Sequence, residues 1–151
     1  MDASNNEIVE VIVSDLSNNI LESNLDKIEG LSQIQKKYVI ELFDLVKTSV
    51  NTLVGDKQLD SNILISTILV ETIKLVEKIE IGKHVLLGMD KKKIAISIGS
   101  LYLQEKFTEN LDILILYNVL AEPLLEQMVN LSKLINVKNN NKKNSLLCCF
   151  R

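Results

Sequence analysis

The stretch Asp60–Ile81, DSNILISTILVETIKLVEKIEI, contains a run, Ile63 to Val70, broken only by Ser66 and Thr67. A helix on the surface of a domain shows a single apolar stripe, whereas a run apolar on almost every side belongs to a helix covered by neighbours. The pattern therefore predicts a central helix sheathed by others. The run breaks at Glu71 and Lys74, far short of the roughly 20 apolar residues needed to cross a bilayer, so no membrane span is expected.

The rest of the chain supplies the covering helices. Ser4-Asn5-Asn6-Glu7 has the form of a capping box, in which serine and glutamate side chains each satisfy a backbone N–H of the first turn. Ile8, Ile12, Leu16 and Ile20 follow at helical spacing, and this first helix is expected to end between Asn24 and Gly30. Ser32-Gln33-Ile34-Gln35 repeats the box with glutamine, and Gly55 stands where a helix often stops, which predicts a second helix over Ser32–Val54. The short polar turn Gly55–Gln58 makes helices two and three an antiparallel hairpin. Asp60, Ser61 or Asn62 can cap the third helix, and Gly82 marks its end.

Between Gly82 and Gly99 two readings compete. Asp90 can cap a helix over about Lys91–Phe107, because Ile94, Ile98, Leu101 and Tyr102 share a helical face. The alternation in Ile94–Ile98 instead suits a small β-hairpin with Val85–Leu87, within residues 85–98. The helix is the preferred reading, since an isolated hairpin is only marginally stable. Thr108 can cap a last helix, with Glu109 and Asp112 near its positive end. Pro123 removes one hydrogen bond there and predicts a kink or two consecutive helices. The expected fold is all-α: a compact bundle of four to six helices over residues 1–137, followed by a flexible, basic, cysteine-containing tail, 138–151.

Composition agrees with a globular chain, at 46% hydrophobic residues with one proline. The net charge of −3 is uneven. Acidic residues dominate the first 30 positions, and the tail carries Lys138, Lys142, Lys143 and Arg151 with no acid. Chemistry-bearing residues are sparse. His84 is the only histidine, no glycine-rich phosphate loop or metal-ligand spacing is present, and the glutamates and aspartates of residues 105–126 read as solvated. No catalytic residue, metal or cofactor is expected, and the chain reads as non-enzymatic. Lys91-Lys92-Lys93 lacks interleaved aromatics and sits in a protein of acidic pI, so nucleic-acid binding is disfavoured and a solvated turn preferred. The rival class is an enzyme or small-molecule binder with a pocket between helices.

Cys148 and Cys149 close the chain beside Leu146, Leu147 and Phe150. The acidic, polar opening MDASNNE is unlike a signal peptide, which places the expected compartment in the cytoplasm and makes a structural disulfide unexpected. Cys148 occupies the fourth position from the end, as in prenylated chains, but Arg151 is not a usual terminal residue for that modification. S-palmitoylation asks less of its context. One acyl chain anchors marginally at about 0.8 kcal/mol per CH₂. The basic residues Lys138, Lys142, Lys143 and Arg151 can add about 1 kcal/mol each near an anionic leaflet. A lipidated tail at a membrane surface and an unmodified, solvated tail both fit these residues.

Leu31–Val46 (LSQIQKKYVIELFDLV), the apolar third helix, Gly82-Lys83 and the terminal CCF together resemble the small Lys-, Asn- and Ile-rich helical proteins of unknown function encoded by nucleocytoplasmic large DNA viruses. The resemblance implies a helical viral protein and assigns no activity. The residues themselves point to an interaction or structural protein with a protein partner or self-association, since so much apolar surface can exceed what one small core hides.

Substituting Cys148→Ser together with Cys149→Ser is expected to move the protein from the membrane to the soluble fraction of the expressing cell. Unchanged fractionation would remove the tethering expectation.

Overall fold

The computed structural model describes residues 21–55, 57–78 and 86–138, with side chains as far as residue 131. The Ser4 capping box, Gly82, His84, Val85 and the tail residues Lys142, Lys143, Cys148, Cys149 and Arg151 lie outside the described residues. Within them there is no strand. A helical turn at 21–25 precedes α1 (Gln33–Val54), α2 (Ser61–Lys78), α3 (Gly88–Lys106) and α4 (Leu111–Lys138).

The expected capping box opens α1. The Gln35 backbone N–H donates to Ser32 Oγ (3.2 Å), and the Ser32 N–H donates to Gln35 Oε1 (2.7 Å), so two orphan donors of the first turn are satisfied. Gly55 closes the helix with φ 54° and ψ −139°, a conformation open in practice only to glycine. Asp60 is the residue that starts α2: its carbonyl accepts from Leu64 N–H (2.9 Å) and its carboxylate from Asn62 N–H (2.9 Å).

The hairpin alternative for residues 85–98 is overturned. Ile94–Ile98 lie inside α3, where Ile94, Ala95 and Ile98 join Leu101 and Tyr102 in the core. The apparent alternation is part of a helical face that continues through Tyr102. The helix starts at Gly88 rather than Lys91, and Asp90 sits within its first turn instead of capping it. There its carboxylate complements the helix dipole and accepts from the buried Gln35 side-chain amide (2.7 Å), fastening the start of α3 to that of α1.

Two expectations for the last helix also change. Thr108 lies in the turn Phe107–Asn110, closed by the Asn110 N–H on Phe107 O (3.0 Å), and the helix begins at Leu111. Pro123 neither ends nor divides α4, which runs on to Lys138. Pro123 and Val119, whose carbonyl loses its usual donor, are both exposed, so water can replace the missing bond. Lys138, expected in the tail, is the last residue of this helix.

Packing puts α2 and α3 together at the centre: each touches the three other helices, while α1 and α4 make no contact among the described residues. Successive helices run antiparallel, in keeping with the pairings of Ser49 with Glu71, of Ile68 with Gly99 and Glu77 with Lys91, and of Lys92 with Glu122 and Glu126. The expectation that α2 is covered all round is corrected: Leu64, Ile65, Ile68 and Leu69 are buried, but Ile63 and Val70 face solvent.

At Gly99 α3 has no room for a side chain. A Cβ added there would lie 2.1 Å from Tyr117 Oη and 3.0 Å from Ile68 Cγ2. The bare glycine lets the fully buried Tyr117 ring lie against α3 and donate from its hydroxyl to Ile96 O (2.9 Å). Gly99→Ala should therefore destabilise the fold by about 1–3 kcal/mol despite the better helix propensity of alanine. In a Tyr117→Leu background the same change should cost at least about 1 kcal/mol less, as urea unfolding of the four-variant cycle would read.

Candidate functional site

The outward side of the α1/α2 hairpin carries an open apolar groove of about 490 Å³. Leu53 comes from the last turn of α1, and Ile63, Ser66, Thr67 and Val70 come from the first half of α2. Leu53, Ile63 and Val70 are 52%, 55% and 36% exposed, large fractions for apolar side chains placed side by side. Ser66 and Thr67 form the floor between them. Their hydroxyls donate to the carbonyls of Asn62 and Ile63, both at 2.8 Å, and Thr52 does the same to Thr48 O (2.8 Å).

Glu71 closes one end of the groove. Ser49 donates to its Oε2 (2.7 Å) and Lys74 to its Oε1 (2.6 Å). Burial alone would raise its carboxyl pKa, but the bonds from Lys74 and Ser49, with the charges of Lys74 and Lys78, outweigh it and hold the group below the usual carboxylate range. The acid is thus held ionised by two partners within the chain.

The polar clefts offer less. Between α1 and α3 an open depression of about 330 Å³ is lined by Lys47, Asn51, Gly55, Tyr102, Glu105 and Lys106. Its groups are engaged with one another: Lys47 pairs with Glu105, and Asn51 Oδ1 accepts from Tyr102 (2.8 Å) and Lys106 (3.0 Å). A third depression, about 440 Å³, flanks the 21–25 turn and the start of α1. All three are open clefts rather than enclosed cavities.

The three consecutive lysines do not form a cationic face. Lys91 is buried, Lys92 reaches Glu122 and Glu126 at 2.7 Å each, and Lys93 points towards Gly30 O (3.5 Å). The bonds to Glu122 and Glu126 push the Lys92 pKa up despite partial burial. Near Lys91, Glu77 keeps Oε1 buried without a hydrogen-bond partner; burial raises its pKa, and the Lys91 charge offsets part of that rise. Neither residue lines any of the three clefts.

Among the described residues no group of histidine, cysteine, aspartate and glutamate could hold a metal ion, and no helix is long and apolar enough to cross a membrane. Of the tail residues Lys138, Lys142, Lys143, Cys148, Cys149 and Arg151, only the backbone of Lys138 is described. Apolar surface left over by the core was expected, but not its place on the α1/α2 hairpin. Its signal in the sequence is the pair Ser66-Thr67 inside an aliphatic run, which marks one side of the helix as different. The chain matches no protein-family model, no curated protein and no solved structure.

Glu71 gives this site a pH signature. A carboxylate whose folded pKa is depressed stabilises the fold above its unfolded pKa, near 4.3, and loses that contribution as pH falls through the folded value. Glu71→Gln is expected to cost about 1 kcal/mol at pH 7. The gap to the parent protein should close as pH drops below about 4 in urea titrations at a series of pH values.

Proposed function

We propose that this is a non-enzymatic helical interaction protein whose contact surface is the α1/α2 groove. The observation that carries this reading is the clustering of Leu53, Ile63 and Val70 on the outside of two adjacent helices, around a floor whose hydroxyls already have partners. Exposed apolar groups packed side by side favour association, whereas scattered ones do not. Two of the buried polar side chains, Glu71 and Tyr117, support the same reading, because both are tied to structural partners. The resemblance seen in the sequence adds a large DNA virus as the source.

A photo-crosslinking residue placed at Thr67 in the expressing cell is expected to give a discrete higher-mass adduct, lost when Ile63→Glu is added. The same residue at Glu109, an exposed position on the turn before α4, serves as the control. Adducts absent at Thr67, or equal at both positions, would remove the groove as a contact surface.

A further inference from the structure

The end of α4 is set apart from the rest of the chain by both geometry and charge. Lys92 of α3 reaches Glu122 and Glu126 of the antiparallel α4, so the first residue of α3, Gly88, is level with about Met128. Helix α2 stops near the same height, since Glu77, one residue from its end, lies close to Lys91. From there α4 continues to Lys138, about 15 Å further at 1.5 Å per residue, and no described helix accompanies it.

The residue pattern ends the bundle at the same place. Tyr117, Ala121, Leu125 and Val129 form a buried row along α4, and the next positions of that row, Ser132, Lys133 and Asn136, are polar. Leu131, 59% exposed, starts a different row with Leu134, Ile135 and Lys138 at the spacing i, i+3, i+4, i+7.

Charge reverses here too. Residues 127–151 carry Lys133, Lys138, Lys142, Lys143 and Arg151 and no acid, which leaves a net −8 on residues 1–126 of a chain at −3. An anionic surface therefore attracts this stretch and repels the body. The projection of about 15 Å is close to two Debye lengths at physiological salt, so the acidic body does little to weaken the attraction. Leu131, Leu134, Ile135, Leu146, Leu147 and Phe150 are interleaved with the cations, and apolar groups beside basic ones suit lipid headgroups over acyl chains better than a nucleic-acid backbone. The other exposed apolar row of α4, Leu111, Ile115 and Val119, lacks this match, because residues 108–126 contain four acids and no cation.

We infer that the projecting end of α4, with the basic residues that follow it, docks on an anionic lipid bilayer without needing acylation and holds the body off the surface. Since α2 runs parallel to α4, the groove in the first half of α2 lies at the opposite end of the bundle and stays free for its own partner. The contact is reversible, and it is the second signal that a single acyl chain at Cys148 or Cys149 would need.

The experiment is flotation of the full chain, in a Cys148→Ser/Cys149→Ser background, with vesicles of phosphatidylcholine alone or with about 30% phosphatidylserine. Binding is expected to the phosphatidylserine vesicles only, and to fall as salt rises from about 0.1 M to about 0.5 M. A cation near an anionic leaflet is worth about fivefold in partitioning, so Lys133→Gln/Lys138→Gln should weaken binding at least about tenfold. Lys27→Gln/Lys57→Gln, the same loss of charge at exposed positions of the body, should weaken it by no more than about twofold. In a second arm, a solvatochromic dye on Leu134→Cys in the same background should shift to the blue with phosphatidylserine vesicles, and on Glu109→Cys it should not.

Absence of binding, equal binding to both kinds of vesicle, or an equal loss with the two lysine pairs would overturn the proposal. So would a dye at Leu134→Cys that stays in water. A single-stranded oligonucleotide that strips the protein from the vesicles at equal phosphate concentration would assign the stretch to nucleic acid instead. None of these outcomes bears on the groove, whose crosslinking test is separate.

Discussion

The bundle depends on how near α4 can come to α3, and that distance is set by a missing side chain. Gly99 leaves room for the ring of Tyr117, whose hydroxyl would otherwise be 2.1 Å from a Cβ. A phenol sealed from water needs a partner, and Ile96 O accepts its hydrogen bond while keeping its place in the helix, since a carbonyl has two lone pairs. Burial drives the Tyr117 pKa well above its ordinary range, so the ring stays neutral at physiological pH. One small residue thus fixes where α4 lies, and α4 in turn helps to cover α3.

Elsewhere the polar groups serve the scaffold. Gln35 works at both ends of its amide, closing the α1 capping box with its oxygen and holding Asp90 of α3 with its nitrogen. Lys92 bridges α3 to two turns of α4 through Glu122 and Glu126. Both glutamates are well exposed, so these pairs set register more than they add stability. The described polar side chains are arranged between helices rather than around a shared point, and exposed apolar side chains lie both on the α1/α2 hairpin, at Leu53, Ile63 and Val70, and along α4, at Leu111, Ile115 and Val119.

The boundaries of α1 are legible in the sequence because both are chemical signals: a Ser-x-x-Gln box at the start and a glycine at the stop. The helical hairpin follows from the brevity of the Gly55–Gln58 turn. The centre of the bundle is legible only in part, since α2 does touch the three other helices. The aliphatic run in α2 reads as buried all round, yet helix geometry turns Ile63 and Val70 outward while Leu64, Ile65, Ile68 and Leu69 turn in. α3 shares the centre with α2, and its lysines, glycines and serines disguise that place. Lys91 is buried along its length, Ser97 is covered, and Gly99 is central because it is small, which hydrophobic periodicity does not register. The groove was hidden for the same reason, since exposure of an aliphatic residue depends on what its neighbours cover.

Since α1 and α4 do not touch among the described residues, the four helices form a three-helix wedge of α1, α2 and α3 with α4 laid along the α2/α3 edge. Such an arrangement need not open all at once. Detaching α4 breaks its contacts with α2 and α3 and leaves every α1 contact intact, so a partly opened state of lower free energy than global unfolding is built into the topology. Amide hydrogen exchange should then sort the helices by depth, with α4 exchanging through that local opening and the middle of α3 retaining its protons longest.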